Sequence, residues 1–298
     1  MSYDLYLTSP RLTQDAFNQY FSGRVNYEQP GWYANGDTGV YFHFAFNQAN
    51  PENEPFSGER VAFNLNFVRP HTFGLEAEPE VSAFVEAFDC TIHDPQTDGM
   101  GKGPYSAAGF LRGWNKGNAV GYGAIGAMGQ LNDILVADEA QIECTWRWNF
   151  RKSARQDEIG DSHYLPRASW GKRFSDGATV VFAVWGEGLR VAVPTCVTHV
   201  LLMRKRKVGG GLLSREKKEV VELRLISLED VAALEGCGWR EIGGERVLLA
   251  PLEPKSSRQV ASLFNCRFED PKSILQQYSP DHVLGASLMA EVMKSKDT

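Results

Sequence analysis

Two runs of alternating residues constrain this chain most. Val40, Phe42, Phe44 and Phe46 alternate with Tyr41, His43 and Ala45; Val61, Phe63, Leu65 and Phe67 alternate with Ala62, Asn64 and Asn66. A period of two points successive side chains to opposite faces, so each run predicts a strand with one buried aromatic face. The segment from Asn47 to Gly58 between them is polar and holds two prolines, which predicts a long antiparallel hairpin.

Other elements follow from local signals. Tyr3 to Leu7 reads as an opening strand. Thr13 can cap a helix over Gln14 to Phe21, ended by Gly23. Val81, Phe84, Val85 and Phe88 share one helical face, and Pro79 with the acids around it suits that helix's N-terminus. Asp94 to Gly103 reads as a loop, and Tyr105 to Trp114 as helical before a glycine run at Gly117, Gly121, Gly123, Gly126 and Gly129. Ala137 to Glu158 is the longest helix candidate, stopped by Gly160. Within it Trp146 and Trp148 are two apart, so they cannot both face one core. Trp32 and Tyr33 lie between Gly31 and Gly36, a loop-like context.

The second half is richer in strands: Thr179 to Trp185, Leu189 to Val193, Val197 to Met203, Val220 to Ile226 and Val247 to Leu249. Ser227-Leu228-Glu229-Asp230 predicts a short capped helix. Ser257 to Phe264 and Ala286 to Met293 read as terminal helices. The class is α+β, with largely antiparallel sheets and packed helices in one large or two small domains. The expected division is an N-terminal domain over 1–135 with an acidic segment and a C-terminal domain over 136–298.

Length and charge narrow the function classes. A chain of 298 residues, 43% apolar, can bury a core without staples. No stretch reaches the ~18 apolar residues of a membrane helix, and no leader is read at the N-terminus. The five cysteines (Cys90, Cys144, Cys196, Cys237, Cys266) form no C-x-x-C and read as thiols of a reducing cytoplasm. The net charge of −6 argues against a nucleic-acid or membrane partner.

Charge is also segregated. From Pro51 to Met100 ten acids face two bases, Arg60 and Arg69. Glu76, Glu78, Glu80, Glu86, Asp89, Asp94 and Asp98 are the candidate partner-binding residues, since complementary potential steers a basic partner. The basic run Arg204-Lys205-Arg206-Lys207, with Arg215, Lys217 and Lys218 around Gly209 to Gly211, reads as a solvated hairpin loop. Without aromatic platforms it is a poor single-strand binder.

Catalytic motifs are scarce. Gly121-Tyr122-Gly123-Ala124-Ile125-Gly126 matches G-x-G-x-x-G, but no apolar strand precedes it, so it predicts close packing rather than a dinucleotide. No cofactor or metal is expected. The alternative to a binding protein is an unsignalled enzyme, such as a hydrolase, using the His71, His93 and Asp98 region, since a His/Asp cluster can act as a general base or bind a metal.

Several segments together resemble a known group: Val68-Arg69-Pro70-His71-Thr72-Phe73-Gly74-Leu75-Glu76-Ala77-Glu78-Pro79-Glu80, Asp94-Pro95-Gln96, Phe110-Leu111-Arg112-Gly113-Trp114-Asn115 and Tyr164-Leu165-Pro166-Arg167. Val193-Pro194 and Val197 to Arg204 complete the order. The chain, over about 1–205, is similar to cytoplasmic immunity proteins of bacterial secreted toxins, including those of type VI secretion. The resemblance implies a non-catalytic protein that binds and neutralises a cognate toxin. If that toxin is a nuclease with a basic channel, the acidic segment is the surface expected to fill it.

Overall fold

The computed structural model describes residues 1–47, 61–96, 98–131, 133–209, 217–251 and 257–294. The expected connection from Asn47 to Gly58 lies outside them after Asn47, as do Gly210, Gly211 and Arg215. The chain divides into two compact units, Met1–Ile142 with Pro280–Thr298, and Glu143–Ser279. The division falls after Ile142 rather than after residue 135, and the chain returns to the first unit at its end.

The first unit begins with β1 (Ser2–Thr8), α1 (Gln14–Phe21), β2 (Tyr27–Gln29), β3 (Trp32–Ala34), β4 (Tyr41–Phe46) and β5 (Val61–Asn66). It continues with α2 (Thr72–Phe88), β6 (Thr91–Asp94), β7 (Gly101–Gly103), α3 (Ala107–Ala127) and β8 (Leu135–Ala137). Among the described residues one sheet has the order β2-β3-β4-β5-β1-β6-β7, and every pairing in it is antiparallel. The two alternating runs pair as expected, with Phe44 opposite Phe63. Thr13 caps α1 by accepting from the Ala16 amide.

The inward set of these strands meets the helices in one core. Tyr3, Leu5, Leu7, Phe42, Phe44, Val61, Phe63 and Leu65 are buried against Phe17, Phe21, Phe84, Phe110 and Trp114. Phe84 of α2 sits among the rings of Phe17, Tyr20, Phe21, Phe44 and Phe88, with centroids 4.8–6.2 Å away. These are the offset and edge-on arrangements aromatic pairs prefer.

Three local expectations are corrected. Pro79 lies inside α2, not at its start. Burial of Phe73, Ala77, Val81 and Phe84 on one face holds the helix together through the missing amide donor. Trp32 and Tyr33 form a strand rather than a loop. The glycine run lies inside α3 as far as Gly126, and Gly129 follows the helix end in the left-handed conformation. Gly113, Gly117 and Gly121, four apart, share a face, and side chains crowd them from outside the helix. A Cβ on Gly117 would sit 2.3 Å from Phe67 Cζ, and one on Gly113 would sit 3.0 Å from the Tyr3 hydroxyl. Gly123 faces open space.

These glycines therefore differ in sign. Alanine gains ~1 kcal/mol over glycine in a helix interior, so Gly123→Ala should stabilise the fold by about 0.5–1 kcal/mol. At Gly117 overpacking against Phe67 costs about 1–3 kcal/mol, and Gly117→Ala should be net destabilising. Urea unfolding of both variants checks this. Two stabilised variants would contradict the packing shown.

The second unit holds most of α4 (Glu139–Phe150), then α5 (Lys152–Ile159), β9 (Ala168–Arg173), β10 (Thr179–Gly186), β11 (Ala192–Pro194), β12 (His199–Gly209) and β13 (Lys217–Ser227). After these come α6 (Leu228–Ala232), β14 (Gly238–Ile242), β15 (Glu245–Leu249), α7 (Arg258–Asn265), α8 (Pro271–Ile274) and β16 (Leu275–Tyr278). β17 (Val283–Gly285) and α9 (Ala286–Lys294) return to the first unit, where β17 pairs parallel with β8. The second unit's larger sheet runs β13-β12-β10-β9-β16, and a smaller one runs β11-β15-β14. Among the described residues only β10 and β12 pair parallel in the larger sheet, so the α+β class with largely antiparallel sheets holds.

The long helix expected from Ala137 to Glu158 is two helices. The Arg155 side chain explains the break, because its Nη1 donates to the Arg147 and Trp148 carbonyls and satisfies the end of α4. Trp148 is buried and Trp146 stacks on Phe150 at 5.5 Å. The basic run is a strand rather than a loop: Arg204 to Lys207 lie in β12, opposite Glu222 to Glu219 of β13. Arg204 pairs with Glu222 at 2.6 Å, and Arg206 approaches the same carboxylate at 3.8 Å. Alternating charge across a register offsets the weak strand preference of Lys and Arg.

Candidate functional site: the outer face of the first sheet

The acidic residues do not form one surface. Glu76 of α2 is 2% exposed, and its Oε1 accepts from Tyr33 Oη at 2.8 Å, Asn35 Nδ2 at 2.8 Å and Thr38 Oγ1 at 3.0 Å. Asp94 is equally buried, and its Oδ2 accepts from Tyr3 Oη at 2.6 Å and the Met100 amide at 2.9 Å. Burial first, and the facing carboxylate next, push the Tyr3 and Tyr33 hydroxyls well above the usual tyrosine range, so they stay protonated donors.

Glu78 accepts from Tyr105 Oη at 3.0 Å. Glu80 accepts from Tyr27 Oη at 3.0 Å and pairs with Arg24 at 2.8 Å. Glu86, Asp89 and Asp98 are exposed. Asp89 ends α2 in the left-handed conformation, its carboxylate 4.0 Å from Arg11. Burial and internal partners thus take up Glu76 and Asp94 fully and Glu78 and Glu80 in part. Sequence proximity grouped these acids, but helical geometry sends Glu76 inward while Glu86 faces solvent.

The structure does not gather the enzyme-like trio into a metal site. His71 precedes α2, His93 is in β6 opposite Tyr6, and Asp98 is in the β6–β7 connection. Among the described residues no three His, Cys, Asp or Glu side chains could hold a metal ion. No helix among them is long and apolar enough to cross a membrane.

The first sheet has a second face. Side chains that alternate with the buried set are half-exposed along β1, β4 and β5. Strand register sets them in rows. Trp32, His43, Asn64 and Asp4 are successive neighbours across β3, β4, β5 and β1. Ala45, Ala62, Tyr6, His93 and Lys102 form the next row across β4, β5, β1, β6 and β7.

These neighbours contact one another. The His43 ring stacks on Trp32 at 5.7 Å, and Tyr6 lies 5.9 Å from His93. Asn64 Nδ2 donates to Asp4 Oδ1 at 2.5 Å, and Ser2 Oγ donates to Asp4 Oδ2 at 3.0 Å. Burial lowers the His43 pKa more than Asp4 raises it, so its ring is neutral near pH 7 and can donate and accept at once. Trp32 remains 40% exposed.

The face combines flat aromatic area with hydrogen-bonding groups held in place by a rigid sheet. That composition suits partner recognition, where Trp, Tyr and fixed polar groups dominate binding energy. The sequence carried half of it. His43 and Asn64 stand at the outward positions of the two alternating runs, but Trp32 was hidden in a three-residue strand too short to show a period.

Comparison with known protein families, curated proteins and solved structures finds no match for this chain.

Proposed function

We propose that the protein is a cytoplasmic binding protein of the immunity type, which holds a cognate toxin on the outer face of its first sheet and blocks it without catalysis. The observation that carries the docking site is the ordered row Trp32–His43–Asn64–Asp4, flanked by Tyr6 and His93. The resemblance over about 1–205 supports the toxin as partner. A sheet face fits this role because a partner can seat against it without the chain reorganising, which keeps the ordering cost low.

This reading shifts the weight away from the acidic segment. Only Asp4 adds a carboxylate to the central row, so binding should depend little on salt. An interface built on the exposed acids would weaken steeply as salt rises.

The test is calorimetry with any secreted toxin found encoded beside this gene. Nanomolar binding is expected for the unaltered protein. Trp32→Ala should weaken it by about 2 kcal/mol, roughly thirtyfold, as for a central aromatic anchor. Charge reversal at Glu86 and Asp89 should change it less than threefold. Absence of binding by the unaltered protein would remove the immunity reading. Binding indifferent to Trp32→Ala and His43→Ala, yet lost on charge reversal, would return the interface to the acids.

A further inference from the structure

β12 and β13 outlast the sheet they belong to. β10 pairs with β12 only as far as Met203, and an isolated bridge joins β13 to Glu269 at Leu223. Beyond those positions, among the described residues, the two strands pair only with each other, Arg204 to Gly209 lying opposite Glu222 to Lys217. Six register pairs at about 3.4 Å per residue make a two-stranded arm roughly 20 Å long.

The arm is basic in an acidic chain. Arg204, Lys205, Arg206, Lys207, Lys217 and Lys218 stand against Glu219 and Glu222, a local +4 where the whole chain carries −6. Arg204 is tied inward: it pairs with Glu222, its Nη1 donates to the Phe264 carbonyl, and its guanidinium lies over the Phe268 ring at 4.1 Å. Lys205, Arg206 and Lys207 are exposed. Glu219 comes within 4.0 Å of Lys205 and Glu222 within 3.8 Å of Arg206, and such solvent-facing pairs hold a side chain only weakly. At physiological salt, charges more than about 8 Å away are largely screened. An arm of this length therefore presents its own charge, not the chain's.

Its shape selects among polyanions. Val220 and Val221 are 41% and 38% exposed, but neighbours in a strand point to opposite faces, so they give no apolar side to enter a bilayer. The arm carries no aromatic ring on which an unpaired base could stack. The major groove of A-form RNA is too narrow for side chains to read. The major groove of B-form DNA, about 12 Å wide, admits a two-stranded ribbon. We propose that the β12–β13 arm binds double-stranded DNA by lying in its major groove, with Lys205, Arg206 and Lys207 on the flanking phosphates. Phosphate contacts carry no sequence information, so the binding is sequence-independent. The outer sheet face of the first unit takes no part in it.

The test titrates the full chain into a labelled DNA duplex of about 24 base pairs and follows fluorescence anisotropy from about 50 to 200 mM salt. A Kd of about 10 μM is expected at the lowest salt, and three phosphate contacts predict a loss of roughly fortyfold over that range. Lys205→Gln with Lys207→Gln should weaken binding at low salt about tenfold or more and flatten the log–log salt slope by about 1.8. Both side chains are exposed, so the melting curve of this variant should match that of the unaltered chain. Arg11→Gln with Lys116→Gln removes two exposed charges from the first unit and should leave the affinity within about twofold. The proposal is overturned if the unaltered chain does not bind the duplex at low salt, or if the arm variant binds as well as the unaltered chain. It is also overturned if the first-unit variant loses as much as the arm variant. Equal or tighter binding to a single strand, to phosphatidylserine vesicles or to polyglutamate would overturn it in favour of another anionic partner.

Discussion

Glu76→Ala is expected to destabilise the protein by about 3–5 kcal/mol, although it removes a charge from an acidic chain. The Glu76 carboxylate is the shared acceptor for Tyr33, Asn35 and Thr38, and all three side chains are buried with it. Alanine leaves three donors with no acceptor and a void beneath the β3–β4 turn. A buried donor stripped of its partner costs about 1–3 kcal/mol, and hydrogen bonds to a charged group are the stronger kind. The companion change Glu86→Ala, at an exposed position ten residues further along the same helix, should stay within about 0.5 kcal/mol. Urea unfolding of the two variants under one buffer decides the matter. Equal small losses would mean that the buried acceptor is dispensable, and the account of the acidic segment would fall with it.

Glu245→Ala should cost about 3–5 kcal/mol in the second unit, the range for breaking a buried ion pair from one side. Arg155 Nη2 lies 2.6 Å from the Glu245 carboxylate, with the Arg155 side chain 2% exposed and Glu245 21% exposed. Arg155 also caps α4 and lies over the Trp148 ring at 5.0 Å, so a displaced guanidinium loosens the α4–α5 junction as well. The double variant Arg155→Met with Glu245→Leu should recover part of the loss, because neither charge is then left buried alone. Urea unfolding of the single and double variants checks this, and a chemical readout accompanies it. Glu245 pushes the Cys144 thiol up, so its removal should let Cys144 ionise at lower pH. In any Glu245→Ala protein that stays folded, iodoacetamide should label Cys144 faster at pH 6 than in the unaltered chain. A slower rate would place Glu245 away from Cys144.

The two predictions mark where reading the chain as a line reaches its limit. Ten acids in fifty residues look like a surface when counted. On α2 they separate by angle: Glu76 enters the core beside Phe73 and Ala77, Glu80 pairs at the rim, and Glu86 faces water. Pro79 misled for a related reason. Proline alone prefers a first turn, but the apolar face on both sides of it is buried, and packing outweighs the lost bond. The basic run also turned on its partner. Four cations in a row predict a loop until four residues of β13, two of them acids, are set opposite.

Periodicity and end signals by themselves determined much of the fold. The alternating runs, the Thr13 and Ser227 caps, several strands of the second half such as β10, β13 and β15, and the α+β class all rest on neighbours within a few residues, where backbone geometry is set. Tertiary structure alone decided strand order, and with it the outer face. Trp32 meets His43 because β3 pairs with β4, and Asn64 meets Asp4 and Tyr6 meets His93 only because β5 inserts between β4 and β1, and β6 joins β1's other edge. It likewise returned the C-terminal segment to β8. Such contacts join residues from 11 positions apart, as in Trp32 and His43, to 148 apart, as in Leu135 and Val283. No local preference encodes them, since they arise from the joint burial of faces that each segment presents separately.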